Sequence, residues 1–181
     1  MLFDTKPKTR RADLFDFEEE FSRLSRLIND SLTRLIVVRG LRRTGKTSLV
    51  LTTLNELGVP YVFIDVREVV RSRRGLYEVL SRALSDFLRR YSLRKALLNS
   101  IIKALSGVRG VRVHGVEVSL NWGRDRPLLT ELFREFDGVS SSVGVGFVIV
   151  IDEAQRLGGS LGIEVWSAVL TPMIFSEILS S

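Results

Sequence analysis

Apolar positions along the chain change period several times, and each change predicts an element. Leu14, Phe17, Phe21, Leu24, Leu27 and Ile28 recur at helical spacing, which predicts an amphipathic helix over Leu14 to Ile28 capped by Asp13 or Asp16. Leu35 to Val38 is a short apolar run rich in β-branched residues and predicts a buried strand, followed by a helix from Ser48 to about Leu57. Gly58 and Pro60 break the chain before a second apolar strand, Tyr61 to Asp65. Leu76 to Tyr91 and Leu93 to Leu105 carry the aliphatic stripes of two helices. Val111 to Val113 and Val116 to Leu120 then alternate around His114-Gly115, the signal of a β-hairpin. Pro127 to Phe136 predicts a helix with proline in its first turn. The Ser- and Gly-rich stretch from Gly138 to Gly146 leads into a third apolar strand, Phe147 to Ile151, which ends in Asp152 and Glu153. Leu161 to Leu179 reads as a final helix interrupted at Pro172. This alternation predicts a three-layer α/β domain with the hairpin as an insertion beside the main sheet.

The junction between the first strand and its helix carries the most chemistry. Its residues follow the pattern Gly40-x-x-x-x-Gly45-Lys46-Thr47, the Walker A phosphate-binding loop. Gly40 and Gly45 are expected to allow backbone turns that a side chain would block, so that successive N–H groups point at phosphate oxygens. Lys46 brings an ammonium to the β- and γ-phosphates, and the Thr47 hydroxyl suits the Mg2+ that bridges them. The helix behind the loop aims its unpaired amides and positive dipole end at the same anion. Nucleotide contact is therefore expected from Gly40, Leu41, Arg42, Arg43, Thr44, Gly45, Lys46, Thr47 and Ser48, with Lys46 also acting on the reacting phosphate. Arg42 and Arg43 could add charge there, or equally face solvent or pair with an acid.

The strand ending in Asp152-Glu153 supplies the second half. The C-terminal end of a strand in an open parallel sheet is where ligands gather, so Asp152 is expected to hold the metal with Thr47, as a Walker B residue does. Glu153 is placed to accept a proton from the attacking water. Asp65 and Arg67 fall on the same side if their strand is parallel to the first.

Length and composition change this picture little. A chain of 181 residues, 45% hydrophobic, suits one domain with a real core. No cysteine is present, which excludes disulfides and thiolate metal sites and fits a reducing cytoplasm. The one histidine, His114, reads as a turn residue. Val165 to Ser176 is too short to cross a bilayer, and no signal peptide is evident, so no membrane partner is expected. The net charge of +6 rests mainly on arginine, a bias compatible with a heat-adapted source and with an anionic ligand. Arg71, Arg73 and Arg74 crowd one loop that could meet nucleic-acid phosphates; with no aromatic pattern beside them in the sequence, a solvated loop is the favoured reading. The segment from Lys6 to Arg11 is polar, basic and expected to be loose.

Together, GLRRTGKTSL at Gly40 to Leu49, YVFIDVRE at Tyr61 to Glu68 and VIVIDEAQRL at Val148 to Leu157 resemble archaeal-type P-loop ATPases of the STAND branch, related to AAA+ proteins. The leading helix DLFDFEEEFSRLSRLI and the Val-rich hairpin extend the resemblance over nearly the whole chain. It implies ATP rather than GTP, Mg2+, and Glu153 as the catalytic glutamate. It also implies a domain over residues 13–181 behind a basic segment, 1–12. Two departures stand out. Phe17 occupies a position where the family usually has arginine, which puts a nucleotide contact there in doubt. The family's sensor strand, which would lie between the Walker A and Walker B strands, and its helical lid have no counterpart after Glu153. The sheet is then expected to have a gap, unless Glu164 to Leu170 returns as a strand to fill it. The expected function is Mg2+-dependent ATP hydrolysis. The alternatives are a nucleotide-dependent switch with little turnover, joined to itself or to a protein partner, a truncated inactive fragment, and, ranked low, a nucleic-acid motor.

Overall fold

A computed structural model describes residues 7–14, 16–30, 32–41, 43–68, 72–144 and 146–178, with backbone alone at 68, 141–143 and 170–178. Lys6, Arg42, Arg71 and Leu179, all named above, lie outside the described residues. The chain divides into two compact units, Met1–Pro60 and Tyr61–Ser181.

The first unit holds two helices, α1 (Glu18–Asn29) and α2 (Lys46–Glu56). Neither aspartate caps α1: its N-cap is Phe17, without a side-chain cap bond, and Asp16 takes a left-handed turn just before it. Leu14, Leu24 and Leu49 are buried together, with Phe17, Phe21, Ile28, Ile36 and Val50 packed around them. The N-terminal segment is not loose along its described part. The Lys8 amide donates to Ser48 Oγ at 3.0 Å, Thr52 Oγ1 donates to the Lys8 carbonyl at 3.4 Å, and Asn55 Nδ2 donates to the Thr9 carbonyl at 3.1 Å. Polar side chains spaced three and four apart on α2 thus hold an extended strip of backbone.

The expected strand at residues 35–38 does not form. Residues 33–41 have no regular structure; Leu35 is 50% and Val37 63% exposed, and only Ile36 turns into the small core. A β-branched run is stable as a strand only beside another backbone that completes its hydrogen bonds. Among the described residues none pairs with this one.

The second unit contains β1 (Tyr61–Asp65), α3 (Arg73–Arg90), α4 (Lys95–Gly107), β2 (Val111–His114), β3 (Glu117–Leu120), α5 (Leu129–Val143), β4 (Val148–Asp152) and α6 (Gly159–Ile178). β1 and β4 pair in parallel, from Tyr61 opposite Val148 to Asp65 opposite Asp152. The helices pack on this sheet and on the hairpin: Val62 and Ile64 share a core with Leu76, Tyr77, Leu80, Leu84, Phe87 and Leu88 of α3, Leu132 and Phe136 of α5, and Val165 and Ala168 of α6.

β2 and β3 form the expected antiparallel hairpin, but His114 is opposite Glu117, so the two-residue turn is Gly115-Val116 and His114 belongs to the strand. Gly115, at φ +61°, supplies the positive φ such a turn needs at its first position. The outer edge of β3 is covered by serines of α3: Ser85 Oγ accepts from the Val118 amide at 2.8 Å and Ser81 Oγ from the Leu120 amide at 2.9 Å.

α5 runs past Phe136 to Val143 and ends at Gly144, which is left-handed. Leu129, Leu132, Phe133, Phe136 and Val139 form one buried helical stripe, which outweighs the turn-forming Gly and Ser residues after it. The reading of residues 164–170 as a returning strand is overturned: they lie inside α6, whose backbone continues through Pro172. Among the described residues no strand follows β4, and no helix is long and apolar enough to cross a membrane.

Candidate functional site

The loop before α2 belongs wholly to the first unit. Gly45 is the N-cap of α2, at φ +85° and ψ 9°, and its carbonyl accepts the first helical bond from the Leu49 amide at 2.8 Å. A Cβ at Gly45 would sit 3.3 Å from the Phe17 ring, so the backbone conformation favours glycine and the ring leaves a side chain little room. Gly40 differs from the expectation. It has no positive φ, and a Cβ there would meet Lys46 Cδ and Thr44 Oγ1 at 3.5 Å, an ordinary contact. Arg43 supplies the other left-handed turn of the loop, at φ 63°.

Lys46 curls back over the loop, donating from Nζ to the Gly40 carbonyl at 2.9 Å and to the Leu41 carbonyl. Thr44 Oγ1 also donates to the Leu41 carbonyl, at 2.8 Å. The ammonium thus rests on carbonyl oxygens, acceptors of the kind that phosphate oxygens would replace. Thr47 follows Lys46 in the first turn of α2, and the next residue, Ser48, holds the Lys8 amide.

The second unit carries the acids. The parallel register brings Asp65 beside Asp152 at one end of the sheet. Arg67 Nε lies 2.9 Å from Asp65 Oδ1 and 3.0 Å from Oδ2, its Nη2 donates to Oδ2 at 2.6 Å, and its amide donates to Oδ1 at 2.9 Å. These bonds hold the Asp65 carboxyl below the usual carboxylate range, against the opposing effect of burial. Arg67 is correspondingly held above its ordinary value, chiefly by Asp65, with Asp152 and Glu153 contributing through space.

Glu153 stands in a left-handed conformation at φ 55° and ψ 36°, uncommon for a residue with a Cβ. Its amide donates to Asp152 Oδ1 at 3.0 Å, which turns the chain sharply off the strand. Its carboxylate Oε2 accepts from Gln155 Nε2 at 2.7 Å, and Arg156 Nε lies 4.0 Å away. In the sequence Gln155 stands out only as the one glutamine and as part of the IDEAQ run; its place two residues after Glu153 is the signal of this contact. Asp65 and Arg67 stand out in the sequence as groups at the tip of one strand, whereas their mutual contact depends on the fold.

Thr47 in the first unit and Asp152 in the second each carry an oxygen donor of the kind a hard cation such as Mg2+ takes. Among the described residues no cluster of three or more His, Cys, Asp or Glu side chains forms a self-sufficient metal site.

No family model matches the chain, and no curated protein matches it. Among solved structures, it is similar to the Walker-type ATPase of Pyrococcus abyssi, at 31% identity over 93% of this chain and 44% of that one, with a TM-score of 0.62. The chain thus spans less than half the length of that relative. With the α/β fold and the Gly40 to Thr47 loop, this likeness supports the general P-loop NTPase family. It does not reach down to the STAND or AAA+ branch.

Proposed function

We propose that the chain binds ATP through the loop at Gly40 to Ser48 and, with Mg2+, hydrolyses it. The observation that carries this reading is the loop itself: left-handed Gly45 opens α2, and Lys46 is folded over the loop on carbonyl oxygens. Lys46 and the loop amides hold the phosphates, and Thr47 and Asp152 are the groups suited to the metal. Bound Mg2+ would neutralise charge on the phosphate oxygens. Glu153 accepts the proton of the water that attacks the γ-phosphorus, as the bond to the bridging oxygen breaks. The STAND or AAA+ branch, the domain bounds 13–181, a cytoplasmic setting and a role for self-association or a protein partner belong to this same proposal.

One observation favours a second reading, a nucleotide-dependent switch with little turnover. The Glu153 carboxylate already accepts a bond from Gln155 at 2.7 Å with Arg156 Nε 4.0 Å away, so these contacts compete with a water for the same oxygen. A thermal-shift titration with ATP and Mg2+ separates the readings when joined to phosphate release. At a ligand concentration near 100 times Kd, binding adds about 2.7 kcal/mol. That is worth ~5–11 °C in a chain of this size. Lys46→Ala should abolish most of the shift. Absence of a shift in the wild-type chain would overturn both readings; a shift without phosphate release, unchanged in Glu153→Gln, would select the switch.

A further inference from the structure

We propose that the surface along the N-terminal half of α3 binds single-stranded nucleic acid, with a base stacked on Trp122 and backbone phosphates met by Arg124 and Arg126. The sequence offered arginines there without an aromatic partner. The fold supplies one from the far side of the hairpin: the Arg74 guanidinium lies over the Trp122 ring, 5.4 Å from its centroid. Trp122 is held there because the end of β3 is tied to α3, through the bond from the Leu120 amide to Ser81. Half of the indole remains exposed. A large aromatic left half in solvent beside a cation has the chemistry of a base-stacking platform.

The chain after Trp122 is pinned to the same face. Tyr77 Oη, itself fully buried, donates to the Pro127 carbonyl at 2.8 Å and lies 3.1 Å from Glu164 Oε1. Arg73 pairs with Glu164 at 3.5 Å and Arg74 with Glu78 at 2.7 Å, so these two cations are largely neutralised. Arg124 and Arg126 are not: among the described residues neither has a carboxylate partner, and Arg126 Nε is a buried donor with no acceptor. Arg126 as a whole is only half-buried, and a guanidinium matches a phosphate oxygen well. Leu128 and Ile163 are 61% and 70% exposed and stand next in sequence to Pro127 and Glu164, offering apolar contact for a second base or a sugar. Cation, open aromatic ring and scattered apolar contact together favour nucleic acid over an acidic peptide, which would not need the indole face.

The test uses the full chain carrying Trp166→Phe, which leaves Trp122 as the reporter. A labelled thymidine oligonucleotide is titrated by anisotropy, and indole emission is read in parallel. Binding should quench the emission and weaken steeply between about 50 and 200 mM salt. Trp122→Ala should reduce affinity about tenfold while Trp122→Phe keeps most of it. Arg126→Gln should lower the salt slope by about one. No binding at low salt, binding without quenching, or displacement by polyglutamate as effective as by unlabelled oligonucleotide would each overturn the proposal. The quenching readout stands even if Trp122→Ala does not fold. Because neither residue belongs to the ATP-binding loop, ATP-induced stabilisation should survive in both variants, which keeps this proposal distinguishable from the nucleotide reading.

Discussion

The two motif glycines of the phosphate loop should respond in opposite ways to the same substitution. Gly45→Ala forces a side chain into a backbone at φ +85° and brings a Cβ to 3.3 Å from the Phe17 ring. Holding an L-residue in the left-handed region costs about 1–2 kcal/mol. The ring must also yield by a few tenths of an ångström, so the total is set at about 2 kcal/mol. For a chain of this size that corresponds to a melting point lower by ~4–8 °C. Gly40→Ala meets neither obstacle: its nearest neighbours would be Lys46 Cδ and Thr44 Oγ1, both at 3.5 Å. Loss of chain freedom in the unfolded state then works in its favour, and the variant should lie within about 1 kcal/mol of wild type, on the stable side. Urea unfolding and thermal melts without nucleotide measure both. Phe17→Leu in the Gly45→Ala background should recover the contact portion but not the backbone portion. Equal losses at the two glycines, or a Gly45→Ala chain that melts like wild type, would refute this assignment of roles.

Three further outcomes are expected. Tyr77→Phe removes the donor to the Pro127 carbonyl and should destabilise the chain by about 1–3 kcal/mol in urea. Burial, then Glu164, raises the Tyr77 hydroxyl above its ordinary 10.0. The folded chain therefore keeps this proton where the unfolded chain loses it. The associated stability is complete below pH 10 and falls as pH rises beyond it, and Tyr77→Phe should remove that component of the alkaline loss. At Asp65 the sign is opposite: the lowered carboxyl contributes stability above its ordinary 3.8 that disappears as pH falls through the folded value, and Arg67→Gln should flatten the acid limb of a stability-pH curve there. Glu153→Gly should relieve about 1 kcal/mol of left-handed strain while abolishing any phosphate release, so that melting and activity move in opposite directions.

Much of the second unit was legible because its patterns are redundant. β1 and β4 are apolar on nearly every residue, as strands covered by helices must be, and their parallel pairing puts Asp65 level with Asp152. The stripe through Phe133, Phe136 and Val139 could have shown α5 running on, but Gly138 and three serines concealed it. At residues 35–38 the apolar run describes what a strand needs on its faces and nothing about whether a backbone lies beside it. Trp122 beside Arg74 was hidden for another reason. That contact depends on where β3 lies against α3, and no local period encodes it.

The bonds described for the phosphate loop are local and do not call on the strand expected before it. Gly45 and Arg43 set the two left-handed turns, Thr44 and Lys46 bond the Leu41 carbonyl, and α2 is anchored by the Lys8–Thr9 backbone through Ser48, Thr52 and Asn55. The acids have a different origin: the positions of Asp65, Asp152 and Glu153 follow from the register between β1 and β4 and from the turn closed by the Glu153 amide. On the proposed reading, phosphate is held by the first of these pieces of structure and the proton is accepted in the second. A core change under β4, such as Ile149→Ala, should accordingly depress phosphate release at a temperature where ATP-induced stabilisation of the loop is still intact. A parallel loss of both, at equal steps of destabilisation, would mean that the loop draws on the sheet after all.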